Sequence, residues 1–463
     1  MRIAAISVAP VFSDHVIGGS QKILADVTTG LKRNGHNIEI WCTRTASHSG
    51  DFEIGDVPVH PDLKLRGAFP ATHQVSPAAL AQTSDVLRKA ADWADRVYLH
   101  ADAIYLRHTI EGTTTVRSIH DYTYEEALIS TLSLPADTTI VPSEYLKKCI
   151  ETTVAISGRK SLEPVVTIPN GLHVPESPPY PAFPSEIRPR EENDLVLLFP
   201  HRPEPTKGID EAIQISVEVQ RLDPSRNVRL LIPAHPFAAN LDETNISADE
   251  ITRIAESRGA GDIVELHRWL SPPEMSGYYA AGDVTLCVGS FIESFGLIPI
   301  ESVVSGTPAV CSRVGALRQF ADIDGVQLVP YGDVQASAEV VIAAASAPPD
   351  LLESGISQIS TKYSHEAMIS GFESVITRLL GSQRTITESN NGRLTLAPWC
   401  EIQDDRIYDD YAAAARQYPE LTRALNRANG SVLTNPLLMS AALDAEVRFA
   451  REQRILIPEF DIT

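Results

Sequence analysis

The residues with the clearest chemical potential lie in the segment GSFIESFGLIPIESVVSG, residues 289–306. It follows an apolar run, VTLCV, and predicts a turn that opens a helix at 293–296, which ends at Gly306. Free amides at a helix start bind phosphate, and Gly296 permits a close backbone approach. Glu293 and Glu301 could therefore accept hydrogen bonds from different hydroxyl groups of one elongated ligand. Two solvated carboxylates are the alternative interpretation.

A second segment, FPHRPEPTKGID at residues 199–210, also follows an apolar, strand-like run. Arg202 offers a planar fork to phosphate oxygens, and Lys207, just before Gly208, supplies a point charge. Two cations directly after a strand predict an anion site, whereas two solvated loop cations are the alternative.

Three shorter signals accompany these segments. The run IPNGL, residues 168–172, predicts a turn at a domain junction. His120 follows the strand-like run VRSI and could hydrogen-bond a substrate in a cleft, with a purely structural histidine as the alternative. The pair Gly18-Gly19 predicts a tight turn before a helix, but it lacks the third glycine of a dinucleotide fingerprint.

The elements around these residues alternate between strands and helices. A strand at 2–8, a helix with apolar residues at 3.6-residue spacing and a strand at 38–42 predict a βαβ unit. Further strands are predicted at Arg96–Leu99, Ala103–Leu106, Val116–Ile119 and Thr138–Val141. The pattern indicates a doubly wound α/β domain.

A proline-rich stretch interrupts this pattern between Pro175 and Pro189 and predicts a linker. Alternation then resumes, with strands at 195–199, 228–232, 264–266, 284–288 and 309–312, helices at 209–221 and 248–257, and a closing helix at 365–380. We therefore predict an N-terminal Rossmann-like domain (1–175), a linker (176–193) and a C-terminal Rossmann-like domain (194–381), with ligands at the carboxyl ends of the strands.

The last part of the chain has a different pattern. After a polar linker at 381–392, residues 393–463 predict a small C-terminal α+β module, for which a winged-helix-like arrangement is one interpretation. Its predicted strands are Arg393–Leu396, Glu401–Ile407 and Ile455–Ile457, and its predicted helices are Glu420–Arg427 and Leu437–Glu452.

Composition limits the partners of the 463-residue chain. Its net charge of −21 argues against bulk nucleic-acid binding or an anionic bilayer as the main partner, because both reward cationic surfaces. Five cysteines without a CxxC pair predict reduced thiols and no zinc ribbon. No apolar run approaches the roughly 18 residues of a membrane span, and the N-terminus does not resemble a signal peptide. We predict a cytoplasmic protein without a transmembrane segment; the oligomeric state stays open.

Taken in order, these motifs resemble those of retaining GT-B glycosyltransferases of the family 4 type. The resemblance covers roughly residues 1–380 and does not extend to the C-terminal module. Its elements are the E-x7-E signature (Glu293 to Glu301, with Pro299), the diphosphate contacts (Arg202 and Lys207-Gly208), the PNG turn (IPNGL), the PSE segment (Pro142-Ser143-Glu144) and the first-loop glycines (Gly18-Gly19).

The resemblance implies a GT-B fold, with two Rossmann-like domains facing a cleft, of which residues 1–175 would form the acceptor domain and residues 194–381 the nucleotide-sugar donor domain. It also implies transfer of a sugar from a nucleotide diphosphate donor, with UDP-sugar favoured, to an unknown acceptor with retention of configuration. The nucleotide-sugar is a substrate, and neither a cofactor nor a metal is expected. The implied catalytic residues are Glu293, Arg202, Lys207 and His120, and the implied donor-binding residues are Gly18, Gly19, Phe295, Gly296, Leu297 and Glu301.

Two departures from the family pattern and three alternatives remain. Gly315-Ala316 stands where the family often has Gly-Gly, and Gln319 stands near an expected acidic residue, which leaves donor-sugar contacts in that loop open. The alternatives are a nucleotide-sugar epimerase of the same fold, a non-catalytic binding protein, and a transferase that recruits a peptide or nucleic-acid acceptor through the C-terminal module. The module could equally be a structural or dimerisation element.

Overall fold

The computed structural model describes residues 1–13, 18–45, 49–65, 75–234, 246–378, 383–389, 392–433 and 439–463. The chain divides into two compact units. The first comprises Met1–Asp14, Ser20–Pro169 and Ile369–Thr463, and the second comprises His15–Gly19 and Asn170–Met368. The finer domain limits proposed from the sequence remain predictions.

The first unit is built on a mostly parallel sheet of eight described strands, ordered β3-β4-β2-β1-β5-β6-β7-β9, in which only the β3–β4 pair is antiparallel. Most of its strands are nearly continuous runs of buried side chains, as expected for parallel strands covered on both faces. The strands are β1 (Arg2–Ser7), β2 (Asn37–Thr43), β3 (Phe52–Ile54), β4 (Val57–Leu63), β5 (Arg96–His100), β6 (Thr115–Ser118), β7 (Thr138–Val141) and β9 (Val165–Thr167). Strand β8 (Ser161–Leu162) lies outside this sheet.

Four helices connect these strands, namely α1 (Gly19–Arg33), α2 (Pro77–Trp93), α3 (Glu125–Ser133) and α4 (Glu144–Ile156). The strand predicted at Ala103–Leu106 is wrong, because this segment is irregular and leads into a single 3-10 turn. Asp102 explains the difference: its carboxylate accepts hydrogen bonds from the Ile104 amide (3.1 Å) and the Ser130 hydroxyl (2.6 Å). Such side-chain bonds to the backbone compete with sheet pairing.

The second unit contains an all-parallel sheet of six described strands, ordered β12-β11-β10-β13-β14-β15. Numbered within the unit, this order is 3-2-1-4-5-6, the Rossmann order, whose switch point lies between β10 and β13. The elements are β10 (Asp194–Leu198), α5 (Ile209–Leu222), β11 (Asn227–Pro233), α6 (Ala248–Ser257), β12 (Val264–His267), α7 (Met275–Ala281), β13 (Val284–Cys287), α8 (Leu297–Val304), β14 (Ala309–Ser312), β15 (Val326–Val329), α9 (Val334–Ala344) and α10 (Pro349–Lys362). Helix α11 (His365–Thr377) begins in this unit and continues into the first, which resumes at Ile369.

The C-terminal module has the α+β composition predicted for it and belongs to the first unit. The structure adds one strand at 384–388, within the predicted linker, and the predicted start of the last helix at Leu437 lies outside the described residues. The elements are β16 (Arg384–Glu388), β17 (Arg393–Leu396), β18 (Cys400–Gln403), β19 (Arg406–Asp409), β20 (Ala414–Gln417), α12 (Pro419–Arg427), β21 (Ser431–Leu433), α13 (Ala441–Glu452), β22 (Leu456–Pro458) and β23 (Phe460–Ile462). A winged-helix-like arrangement remains a prediction.

The single strand predicted at Glu401–Ile407 is in fact a hairpin. Strands β18 and β19 pair antiparallel, with Gln403 opposite Arg406. The two aspartates between them form the turn, and Asp404 has a φ of 57°, in the left-handed region that aspartate tolerates better than most residues.

The module is anchored to the rest of the first unit by a shared sheet. Strand β16 pairs antiparallel with β23 on one side and with β8 on the other. Ile386 of β16 is buried in the core beneath α4, where Phe460 and Ile462 pack against the same cluster. The module is therefore part of the hydrophobic core of the first unit.

Two whole-chain features concern cysteines and membranes. All five cysteines are buried and free, in agreement with the prediction of reduced thiols. Among the helices that the structure describes, none is both long and apolar enough to cross a bilayer.

Candidate functional site

Two loops meet at the switch point of the second sheet. The loop after β10 carries Arg202 and Lys207, and the loop after β13 carries Glu293. Strands β10 and β13 are parallel neighbours, so their carboxyl ends lie at the same edge. Lys207 Nζ lies 2.7 Å from Glu293 Oε1. The fold thus joins the cation and the carboxylate that the sequence placed in separate segments.

Two glycines allow these loops to touch backbone to backbone. Gly208 has a φ of 91°, and a Cβ atom on it would lie 2.5 Å from the Cα of Gly289. A Cβ on Gly289 would clash with the carbonyl oxygen of Thr206. The same carbonyl accepts a hydrogen bond of 2.8 Å from the Phe291 amide. A side chain at either glycine would push the two loops apart, and this would also separate Lys207 from Glu293.

The ammonium group of Lys207 is held on two sides. Besides its bond to Glu293, Nζ lies 3.4 Å from the centroid of the Phe291 ring, which is a cation–π contact. The Lys207 side chain is only 12% exposed, so its charge is partly desolvated and fixed in position. Arg202 lies on the same loop, with its guanidinium 3.1 Å from Glu204 Oε1.

The surroundings of Glu293 favour the ionised form of its side chain. Burial alone would raise its pKa, but the Lys207 ammonium outweighs burial, with smaller contributions from His201 and Arg202, so the pKa lies below its ordinary value. The Glu293 backbone is also fixed, because its carbonyl accepts a hydrogen bond of 2.9 Å from the Ala316 amide. At neutral pH the site therefore carries an ionised acceptor for hydroxyl groups.

A third loop, after β14, supports the other two. The Ser312 hydroxyl donates to the Gly289 carbonyl at 2.5 Å. Gln319, which stands near the family's acidic position, donates from Nε2 to the Phe295 carbonyl at 2.9 Å. Gln319 thereby fixes the backbone just before α8.

Helix α8 begins one residue after Gly296, later than the start at 293–296 predicted from the sequence. Gly296 is the N-cap residue, has a φ of 86° and provides no side-chain cap. The first-turn amides, beginning at Leu297, are therefore not capped by a side chain of that residue, which is the arrangement that binds anions. Phe295 is buried, with its ring edge-on to Phe320 and Tyr363, so only its backbone is placed to meet a ligand.

Glu301 lies on α8, and its carboxylate accepts a hydrogen bond of 3.3 Å from the Tyr279 hydroxyl. Burial raises the pKa of Tyr279 well above its ordinary value, and the nearby carboxylate adds to the shift. Tyr279 therefore stays protonated and orients one oxygen of Glu301.

His120 lies two residues after β6 in the first unit and is buried among polar side chains. Its Nε2 lies 3.0 Å from the Ser118 hydroxyl, and its ring centroid is 4.5 Å from that of His100. Burial lowers the pKa of His120 to about 4, so its ring is neutral at physiological pH. Gly18 and Gly19 immediately precede Ser20, whose hydroxyl lies 3.0 Å from His100 Nε2.

The second unit thus brings together Lys207 and Glu293, with Arg202 on the Lys207 loop and the Gly296 start of α8 directly after Glu293. His120 belongs to the other unit, so its share in the same site remains a prediction. Sequence reasoning missed His201, whose Nε2 lies 3.0 Å from the Leu286 carbonyl. Its position directly before Arg202 was the available signal.

Comparison with known proteins identifies a family match for part of the chain. Residues 184–354 match the family described as glycosyl transferases group 1. D-inositol 3-phosphate glycosyltransferase 1 of Catenulispora acidiphila is 29% identical over 203 residues, covering 43% of this chain and 46% of the relative. A D-inositol 3-phosphate glycosyltransferase of Frankia alni is 33% identical over 152 residues, covering 32% of this chain and 36% of the relative. The matches span less than half the length of these relatives.

Solved structures give the fold. A sucrose-phosphate synthase from Thermosynechococcus elongatus superposes with a TM-score of 0.62 at 17% identity, covering 82% of this chain and 98% of the other. HepE of Anabaena, in complex with UDP-glucose, gives a TM-score of 0.61 at 16% identity, covering 81% and 99%. The domain at residues 184–354 therefore matches the group 1 glycosyl transferases, and the fold of the chain is similar to that of GT-B glycosyltransferases.

Proposed function

We propose that the protein is a retaining glycosyltransferase that moves a sugar from a nucleotide diphosphate donor, with UDP-sugar favoured, to a hydroxyl acceptor without using a metal ion. The observation that carries the proposal is the ion pair of Lys207 and Glu293 at the switch point, next to the open start of α8. Ligands of such sheets bind at this place.

The cations would act on the leaving group. As the bond between sugar and phosphate breaks, negative charge grows on the diphosphate, and Lys207, Arg202 and the first amides of α8 would stabilise it. Because Lys207 is already held by Glu293 and Phe291, little reorganisation would accompany charge development. Such preorganised groups contribute most to electrostatic catalysis.

The carboxylates would hold the donor's hydroxyl groups. Glu293 would accept hydrogen bonds from the sugar, and Glu301, oriented by Tyr279, would accept them from the ribose. In the same-face reaction, the departing phosphate oxygen would take the acceptor's proton, so no side-chain nucleophile is required. His120 would meet the donor sugar as a neutral hydrogen-bonding group, and Gly18 and Gly19 would let the backbone approach the phosphate or the acceptor.

The comparisons suggest which substrates to test first. The curated relatives are named as D-inositol 3-phosphate glycosyltransferases, so a phosphorylated polyol is the first acceptor class that we propose. UDP-glucose, present in the HepE complex, is the first donor to test. The alternative of a macromolecular acceptor is compared in the same assay.

The test begins with thermal shifts against UDP-, GDP-, ADP- and dTDP-sugars. Mass spectrometry of reactions with inositol 3-phosphate, or with protein or nucleic-acid acceptors, then detects transfer. Glu293→Gln should abolish transfer while keeping affinity for free UDP within about tenfold, because the role of Glu293 is toward the sugar. Glu339→Gln, an exposed carboxylate of α9 in the same unit, is the matched control and should keep full activity.

Three results would contradict the proposal. Donor turnover to an epimer without any acceptor would make the protein an epimerase. Loss of free UDP binding in Glu293→Gln would place this carboxylate against the nucleotide instead of the sugar. Stabilisation by no nucleotide-sugar at all would favour a non-catalytic binding protein with another ligand.

A further inference from the structure

Two segments pair where the chain enters and leaves the second unit. The chain enters this unit at Asn170 and leaves it after Met368. The Leu172 amide donates to the Tyr363 carbonyl at 3.0 Å, and Leu172 forms a parallel bridge with Ser364. This backbone pairing fixes the register of the next residue on each segment.

Those next residues are His173 and His365, and their imidazoles stack. The ring centroids are 3.9 Å apart, and the rings are inclined by 26°. Glu366 follows on α11, and one potential ligand atom from each of the three side chains lies within 4.8 Å of the other two. His365 is buried, whereas His173 and Glu366 are exposed, so one fixed ring faces two side chains that can rotate.

We propose that His173, His365 and Glu366 bind a divalent transition metal of the zinc class. Two imidazole nitrogens and one carboxylate oxygen form a ligand set typical of Zn²⁺, with a fourth position left for water. Metal–ligand bonds of about 2.0–2.2 Å require the three atoms, now within 4.8 Å of one another, to come closer together. Rotation of the exposed His173 and Glu366 side chains supplies that movement. The nitrogen ligands disfavour Mg²⁺ and Ca²⁺, which prefer oxygen.

A second cluster, Asp51, His60 and Asp62, offers a single imidazole among its potential ligands, whereas the first offers two. His60 Nε2 lies 3.0 Å from Glu39 Oε2, and its Nδ1 lies 3.2 Å from Asp51 Oδ2. Both ring nitrogens are thus engaged with carboxylates. The five cysteines are buried, so their thiols do not compete for an added ion in the folded chain.

The ion would tie together the entry and exit segments of the second unit. Tyr363, two residues before His365, packs edge-on against Phe295 at a centroid distance of 5.5 Å. A bound metal would therefore stabilise the segment that supports the start of α8. None of the three ligands has a part in the proposed transfer reaction, so we expect the ion to act on stability.

We would treat the untagged protein with a chelator and dialyse it to remove metal. Calorimetry then measures Zn²⁺ binding, and thermal unfolding measures Tm with and without Zn²⁺. One equivalent should bind with a rise in Tm, while Mg²⁺ and Ca²⁺ should cause none. Loss of outer-shell partners already costs about 10–100-fold in metal affinity. His173→Gln and Glu366→Gln, which remove direct ligands at exposed positions, should each weaken Zn²⁺ binding by at least on the order of 100-fold.

His60→Gln is the matched control and should bind Zn²⁺ like the parent protein. The proposal is overturned if His173→Gln and Glu366→Gln keep the parent affinity, since Zn²⁺ is then an adventitious ion only. It is equally overturned if binding is lost in His60→Gln, or if the parent protein binds no stoichiometric Zn²⁺. Because the two variants change exposed side chains, their unaltered Tm without metal verifies that they fold.

Discussion

Lys207 Nζ lies 2.7 Å from Glu293 Oε1, although the two residues are 86 positions apart in the chain. In the ligand-free protein the two charges neutralise each other, so neither is left unpaired in a partly desolvated environment. A donor that engages both groups would exchange one set of charge-assisted hydrogen bonds for another.

Replacing Lys207 with alanine should slow turnover far more than it weakens nucleotide binding. An electrostatic contact to developing charge contributes about 10²–10³ in kcat, so we expect a loss of that size with a change in UDP Kd below about tenfold. Steady-state kinetics and calorimetry measure the two quantities. Lys362→Ala, an exposed lysine on α10, is the control. Equal losses in both quantities would mean that Lys207 binds ground state and transition state alike.

Replacing Gly208 with alanine should destabilise the second unit more than the same change at Gly332. Both glycines have positive φ, 91° and 78°, so both substitutions carry the left-handed backbone cost of about 1–2 kcal/mol. Only Gly208 also meets a neighbouring backbone, whereas a Cβ at Gly332 meets nothing within 4 Å. Urea unfolding should show the larger loss for Gly208→Ala, together with lost activity. Equal losses would show that the loops can separate without cost.

Stability should fall on acidification partly because of His120. Its folded pKa is about 4, below the ordinary 6.5. Between pH 6.5 and pH 4, this histidine is protonated in the unfolded chain but stays neutral in the folded protein. The unfolding free energy therefore decreases by up to about 3 kcal/mol as the pH falls through this range. In His120→Asn, which does not titrate there, the slope of unfolding free energy against pH should be smaller.

His100 contributes its own slope to both proteins in that experiment, because burial first, and then the neighbouring His120, lowers its pKa well below the ordinary value. The difference in slope between parent and variant therefore contains the loss of the His120 titration together with a smaller change at His100, whose main cause, burial, is retained. An unchanged slope would place the His120 ring in contact with water.

Removing residues 393–463 should destabilise the first unit. The truncation deletes β23, the partner of β16, together with Phe460 and Ile462 from the core that holds Ile386. It also removes Asp410, which accepts a hydrogen bond of 2.7 Å from Tyr145 on α4. Scanning calorimetry should show a Tm lower by several degrees. UDP binding should persist, because the proposed nucleotide site uses the second unit; an unchanged Tm would mean that the module is a dispensable appendage.

Much of the fold could be predicted because its strands are buried on both faces. In the second sheet, the runs at β10, β11, β13 and β14 are almost entirely apolar and were predicted with small errors at their ends. Strand β15 was missed because its buried residues, Val326 and Val329, flank an exposed Gln327. The predicted GT-B class and its resemblance to group 1 glycosyl transferases are confirmed.

The assembly of the candidate site was harder to predict than the individual residues that form it. Residue type and position after a strand identified Lys207 and Glu293 separately, but their contact depends on β10 and β13 being neighbours, which no local pattern encodes. The cation–π contact between Lys207 and Phe291 also depends on which strands are neighbours. The same is true of the hydrogen bond from Gln319 to the Phe295 carbonyl. Long-range strand order decides all three contacts.

The hydrogen bond between Leu172 and Tyr363 bears on how the chain assembles. Once Asn170–Met368 has folded, its ends are adjacent, and it acts as an inserted domain that presents the flanking chain with a short connection. Bringing together the two chain segments that flank an insert costs conformational entropy, and this cost grows only slowly with the length of the insert. If the insert has already folded, most of this entropy cost has been met. Strand β9 and the C-terminal half of α11 can then join the first unit almost as if they were consecutive in sequence, which favours assembly of the insert first.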